Sequence, residues 1–200
     1  MSITEHSSRD RIVQSALEEI EKNGIVGLRV ADVAASAEVS VPLIYKYFRD
    51  RDGLLAEVLS ETITSLLMED IRILRNLVET STGRLDAAEL AALMPMPSDP
   101  RRKRNRRLRV MATAASYDIP KLAEALAANQ RLMNVATHDL ISLVRERTGS
   151  TSKISVDAIT TMLQALSFGL VISDYEPNRT VTEKEYRALL IELFKLLIIE

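Results

Sequence analysis

Residues 29–55 read RVADVAASAEVSVPLIYKYFRDRDGLL, a short helix, a tight turn and a second short helix, followed at once by a third. A helix-turn-helix presents its second helix to the major groove of DNA. Val33 and Ala34 belong on the inner face of the first helix, where a small residue lets the second cross closely. Ala37 ends that face, Glu38 occupies the turn and Val39 points back to the core. Ser40 is a suitable N-cap, and Pro42 is tolerated in the first turn of the second helix. Ile44 and Tyr47 fall on its inner face, and Phe48 closes its end. Two helices crossing at about 90–120° need such a set. Position 38 calls for positive φ, which suits glycine. Glutamate there costs about 1 kcal/mol or more, so Glu38 means either strain or an altered turn.

Composition frames this stretch. The 200 residues are 46% apolar and 27% charged, enough for a core and a soluble surface. Ala, Leu, Glu and Arg dominate, Gly and Pro number six each, and no period-2 pattern flanked by turn residues stands out. The expected fold class is all-α. Cysteine is absent, which excludes disulfides and thiolate metal sites. The opening residues carry no signal-peptide pattern, and no apolar run approaches a span of about 20 residues, so a cytoplasmic protein with no membrane partner is expected. Net charge is −2, and residues 1–60 carry seven basic against ten acidic residues. DNA binding would therefore rest on a local patch, supplied by Lys46, Arg49 and Arg51 with Arg11 and Arg29 nearby, and would be strongly salt-dependent.

The rest of the chain reads as helices. A first helix at about 8–23 carries Ile12, Ala16, Leu17 and Ile20 on one stripe and stops at Asn23-Gly24. The short helices follow at about 30–36 and 41–47, joined to the first by the apolar loop 25–28. A long helix starts near Asp50 and ends at Ser81-Thr82-Gly83, and a short one covers about 85–93. Asp99 as N-cap and Pro100 at the first helical position begin the next helix, to about Tyr117. A long helix follows Ile119-Pro120 to about Arg147, and the last two lie at about 154–174 and 181–199, separated by a turn at residues 174–178. Both are widely apolar, with Ala165 and Gly169 four apart, so a homodimer through residues 154–199 is expected. The sum is about nine helices, with a DNA-binding domain over residues 1–50 and a larger helical bundle over residues 51–200.

Ile12, Ala16, Gly24, Val33-Ala34, Ala37-Glu38-Val39-Ser40, Leu43, Tyr45, Tyr47-Phe48, Arg51-Asp52 and Leu54-Leu55 together resemble the TetR/AcrR-type transcriptional regulators, specifically over residues 9–59. Glu38 departs from the family's usual Gly. Arg29 stands where a capping Thr is usual, and Arg51 where Lys is common. The resemblance implies a three-helix DNA-binding head and a helical body that dimerises through its last two helices. Two heads would read a palindromic operator, and a small molecule in the body would release DNA by shifting the long fourth helix. Carried onto this chain, Tyr45, Tyr47 and Arg51 would contact phosphates, while Ser40, Val41, Pro42 and Lys46 would lie nearest the base edges. Lys46 could read guanine or bind phosphate. Tyr47 could both pack its ring and present its hydroxyl.

Seven basic residues, Arg101, Arg102, Lys103, Arg104, Arg106, Arg107 and Arg109, crowd the start of one helix, where cations oppose the dipole. A solvated face, a contact with DNA or another acidic surface, and a site for a phosphate-bearing effector all remain open. His6 and His138 are far apart, and with no cysteine, phosphate-cradling glycine loop or nucleophile motif, neither an enzyme nor a cofactor is expected. Met111, Tyr117, His138, Gln164 and Phe168 are the candidate effector residues. The aromatic content of 4% with no Trp points to an aliphatic, Met-lined pocket rather than an aromatic cage. Two functions follow: a ligand-responsive repressor bound to double-stranded DNA and released by an unknown small molecule, or a DNA-bound scaffold of the same fold controlled by a protein partner.

Overall fold

The computed structural model describes residues 7–81, 85–94, 96–175 and 181–199. Among these there are nine α-helices and no strand. Residues 82–83 of the expected stop, residues 176–178 of the last turn and His6 lie outside the described residues.

Helix α1 (Ser8–Gly27) opens with a reciprocal capping box between Ser7 and Asp10, and its helical run breaks at Gly24 (φ 76°). That break is the stop read from Asn23-Gly24. The short α2 (Val30–Ser36) and α3 (Val41–Phe48) follow, and α1, α2 and α3 pack on one another. Ile12, Ala16 and Ile20 of α1, Val33 and Ala34 of α2, and Ile44 and Phe48 of α3 are buried, as their spacing predicts. Tyr47 is the exception. Expected on the inner face, it is 44% exposed, because Ile44 and Phe48, four residues apart, already occupy that side.

Helix α4 (Arg51–Thr80) buries Leu54, Leu55, Val58 and Leu59. Then come α5 (Ala87–Leu93), α6 (Pro100–Ser116), α7 (Pro120–Thr148), α8 (Val156–Gly169) and α9 (Glu183–Phe194). The Asp99 carboxylate accepts from the Arg101 amide at 2.8 Å, which is the cap expected for α6. Helix α8 tightens into a 3₁₀ turn at Leu170–Asp174, and α9 widens into a π turn at Lys195–Ile199.

The chain divides into two compact units. One contains the described residues up to Thr64 together with Leu108–Gln130, so it extends past residue 50 and takes in the junction of α6 and α7. The other contains Ser65–Arg107 and the described residues from Arg131 onward. Val78, Leu85, Leu90, Ile141, Val144, Ile159, Leu190 and Phe194 form the core of the second unit, in which α5 packs on α9.

One expectation needs correction. The stretch Val156–Asp174, 19 residues long, is apolar and long enough by length and composition alone to cross a membrane. Periodicity obscures it in the sequence because Thr160, Thr161, Gln164 and Ser167 interleave with the apolar residues. Ile159 and Thr160 face inward, while Met162, Leu166, Phe168 and Ile172 are exposed.

Candidate nucleic-acid interface

The turn between α2 and α3 is built as its residue pattern demands. The Ala37 amide donates to the Val33 carbonyl at 2.9 Å and the Val39 amide to Ala34 at 3.0 Å, with Glu38 at φ 54° between them. The strained form of the turn is therefore the one adopted. Arg11 reaches across from α1, its Nε donating to the Ala37 carbonyl at 3.1 Å. The N-terminus of α2 has no side-chain cap, since Arg29 cannot accept a hydrogen bond.

Ser40 occupies the N-cap position of α3 but makes no side-chain cap. The reason is local. Pro42 has no N–H to offer, and the Leu43 amide already donates to the Ser40 carbonyl at 3.0 Å. The Ser40 hydroxyl is left without a partner among the described residues and is exposed. Along α3, Pro42, Tyr45 and Lys46 are exposed and Val41 is half-buried, opposite the buried Ile44 and Phe48. Tyr45 is 43% exposed, and neither tyrosine hydroxyl nor the Lys46 ammonium has a partner among the described residues. The Tyr47 ring leans on Phe48, with centroids 6.2 Å apart. One helix face thus presents free donors over a rigid apolar back.

The junction with α4 is tight. A Cβ on Gly53 would fall 2.1 Å from the Phe48 carbonyl oxygen, so that position admits only glycine without movement. Asp50 caps α4 by accepting from the Gly53 amide at 2.8 Å, and it pairs with Lys121 at the start of α7. These bonds, Lys121 first, hold the Asp50 carboxyl below the usual carboxylate range. Arg9 of α1 pairs with Glu57 and Glu61 of α4 and lies over the Phe48 ring.

The sequence sets Arg51 among the phosphate contacts, but in the structure its guanidinium is engaged elsewhere. It donates to the carbonyls of Leu28 at 3.2 Å, Ile25 at 2.6 Å and Val26 at 3.3 Å. Arg51 therefore holds the loop that enters α2.

Residues 12–58 match the profile of a family described as bacterial regulatory proteins, tetR family. Over those residues the chain is similar to the head of that family. Solved structures similar to the whole chain carry the same fold. A candidate TetR-family transcriptional regulator from Mesorhizobium loti aligns over 96% of this chain and 98% of its own, at 19% identity and a TM-score of 0.72. A second, from Rhodococcus sp., aligns over 96% and 98% at 21% identity and a TM-score of 0.67. A candidate transcriptional regulator from Saccharomonospora viridis in complex with choline aligns over 96% and 98%, at 21% identity and a TM-score of 0.69. No curated protein matches the chain in sequence. The family so matched consists of bacterial regulatory proteins.

The candidate effector residues are scattered. Met111 and Tyr117 fall in the unit that contains the TetR-type head, and His138, Gln164 and Phe168 fall in the other. Tyr117 is 88% exposed at the end of α6, a surface position. His138 lies between two carboxylates, with Nδ1 3.5 Å from Asp139 and Nε2 3.8 Å from Asp157.

The Arg-rich run resolves into two faces of α6. Arg102 pairs with Asp70, and Arg106 forks onto Asp174 at 2.8 and 2.5 Å while donating to the Pro97 carbonyl. Burial lowers the pKa of Arg102, helped by Arg106, and lowers that of Arg109. Arg101, Lys103, Arg104 and Arg107 are exposed. Spacing along α6 separates the two sets, but only the distant Asp70 and Asp174 show which set turns inward.

Proposed function

We propose that this chain is a ligand-responsive transcriptional repressor that binds a palindromic operator as a homodimer and is released by a small molecule held in its C-terminal part. One observation carries the reading: the exposed face of α3, on which Ser40, Tyr45, Lys46 and Tyr47 offer donors with no partner among the described residues. Donors of this kind are what phosphate oxygens and base edges accept from a helix lying in the major groove. Ser40, Val41, Pro42 and Lys46 face the bases, and Tyr45 and Tyr47 the phosphates. Arg51 acts from behind, by fixing the loop that starts α2. The dimer forms through α8 and α9 and the turns that extend them, where the exposed Met162, Leu166, Ile172, Leu189 and Leu196 make an apolar face that water solvates poorly. Two copies so joined present two recognition helices to one palindrome. The protein acts in the cytoplasm, where its DNA is.

For the effector, the Saccharomonospora protein was solved with choline. This chain is poorly supplied for a quaternary ammonium cage. It has no Trp, and Tyr45, Tyr47, Tyr117 and Tyr175 are exposed. An aliphatic effector meeting His138 and Gln164 fits better. A second reading, a DNA-bound scaffold that answers to a protein, is favoured by the exposed Arg101, Lys103 and Arg107 on α6, which suit an acidic surface.

Selection of bound duplexes from a random pool tests the DNA reading. Enrichment of one short palindrome is expected, with Lys46→Gln weakening its binding about tenfold and blurring the preference at one base pair per half-site. Many dispersed sites, together with no metabolite that both raises the melting temperature and weakens DNA binding, would establish the scaffold instead.

A further inference from the structure

Among the described residues other than glycine, Glu38 and Arg49 alone have positive φ. Glu38 is accounted for by the turn it makes. Arg49 follows the recognition helix, with φ 69° and ψ −52°, and the Asp50 amide donates across it to the Phe48 carbonyl at 2.8 Å. That is a γ-turn of the rare positive-φ form, strained for any residue with a Cβ. Glycine would sit there at ease, yet this chain carries a long cation.

We propose that Arg49 is a phosphate-binding residue of this head, held by the γ-turn at the exposed C-terminal end of α3 and taking the role that Arg51 leaves open. The inference rests on the reading of α3 as a DNA-facing helix. Three observations place Arg49 there. Its amide still donates to the Tyr45 carbonyl at 2.8 Å, so it closes one further helical turn above Tyr45. Pro42, Tyr45 and Lys46 share one exposed face of α3, and Arg49, just beyond the helix end, is exposed as well. The Arg49 guanidinium has no partner among the described residues, whereas the guanidinium of Arg51 is engaged with three backbone carbonyls. The γ-turn lets α4 begin two residues later, at Arg51, and leaves the Arg49 cation exposed beside α3. A planar, permanently charged fork there suits a phosphate diester.

The test uses the full-length chain and a fluorescent duplex enriched by the wild type from a random pool, with affinity measured from 50 to 300 mM salt. Each lost phosphate contact lowers the slope of log K against log salt by about 0.9. Arg49→Gln should lose that much per head while keeping the same preferred sequence, and Arg49→Lys should restore most of it. Arg49→Gly should lose the same slope yet melt at a higher temperature than Arg49→Gln, because the strain is relieved. Arg51→Gln should chiefly lower the melting temperature. An unchanged slope for Arg49→Gln, with wild-type binding intact, overturns the assignment of Arg49 alone. A wild type that enriches no duplex overturns the DNA reading and Arg49 with it.

Discussion

Glu38 holds the helix-turn-helix in a conformation that its side chain disfavours. At φ 54° it carries a Cβ where glycine would carry none. Replacing it with Gly should stabilise the head by about 1 kcal/mol. A urea melt of the full chain would register this as a higher midpoint, and a lower midpoint would mean that the Glu38 side chain makes a needed contact. Asp50 gives a pH-dependent counterpart. Its carboxyl is held below its ordinary value by Lys121 and by the Gly53 amide, so the ionised form is favoured on folding. A depressed carboxyl contributes stability that is full above the unfolded pKa and is lost as the pH falls through the folded one. The melting temperature of Asp50→Asn should therefore lie below that of the wild type at pH 7, and the gap should close as the pH drops below about 4. A gap that does not narrow as the pH falls would assign the effect to packing.

At the scale of elements, α6 is fixed by its charged face as much as by its apolar one. Arg106 is only 7% exposed along its side chain and is tied to Asp174, 68 residues away. Desolvating both charges is costly, and the pair is tolerated because Arg106 also reaches the Pro97 carbonyl. Removing one partner leaves a bare buried charge. Asp174→Ala should destabilise the protein by about 3–5 kcal/mol, read as a loss of urea midpoint. Arg107→Ala, on the exposed face of the same helix, should change it by less than about 0.5 kcal/mol. Equal losses in the two variants would refute the division of the run into an inner and an outer set.

At the scale of the whole molecule, the last two helices carry more exposed apolar surface than a monomer needs. Ile172 is 73% exposed, and Leu166 and Leu189 are exposed on α8 and α9. Burial of apolar area is the main driving force for association, and a buried unpaired carboxylate opposes it strongly. The double variant Leu166→Glu, Leu189→Glu should sediment as a monomer where the wild type sediments as a dimer, and it should bind a palindromic duplex far more weakly. A wild type that sediments as a monomer at micromolar concentration would remove the dimer from the proposed function.

The sequence by itself determined the elements and the head. Helix starts and stops are set by neighbours within four residues: the Ser7–Asp10 box, the break at Gly24, the Asp99 cap and the apolar spacing through Val33, Ile44 and Phe48. Such signals need no knowledge of what folds against what. Only the tertiary structure decided which polar groups are free to act. Arg51 is bound by carbonyls 23 to 26 residues away, so the cation that the resemblance sets among the phosphate contacts is engaged and its neighbour Arg49 is free. Asp70 and Asp174 likewise selected which arginines of the run were drawn inward. Local chemistry repeats along a chain and can be read there. A guanidinium's partner is chosen by folding, which brings distant carbonyls and carboxylates within about 3 Å of it.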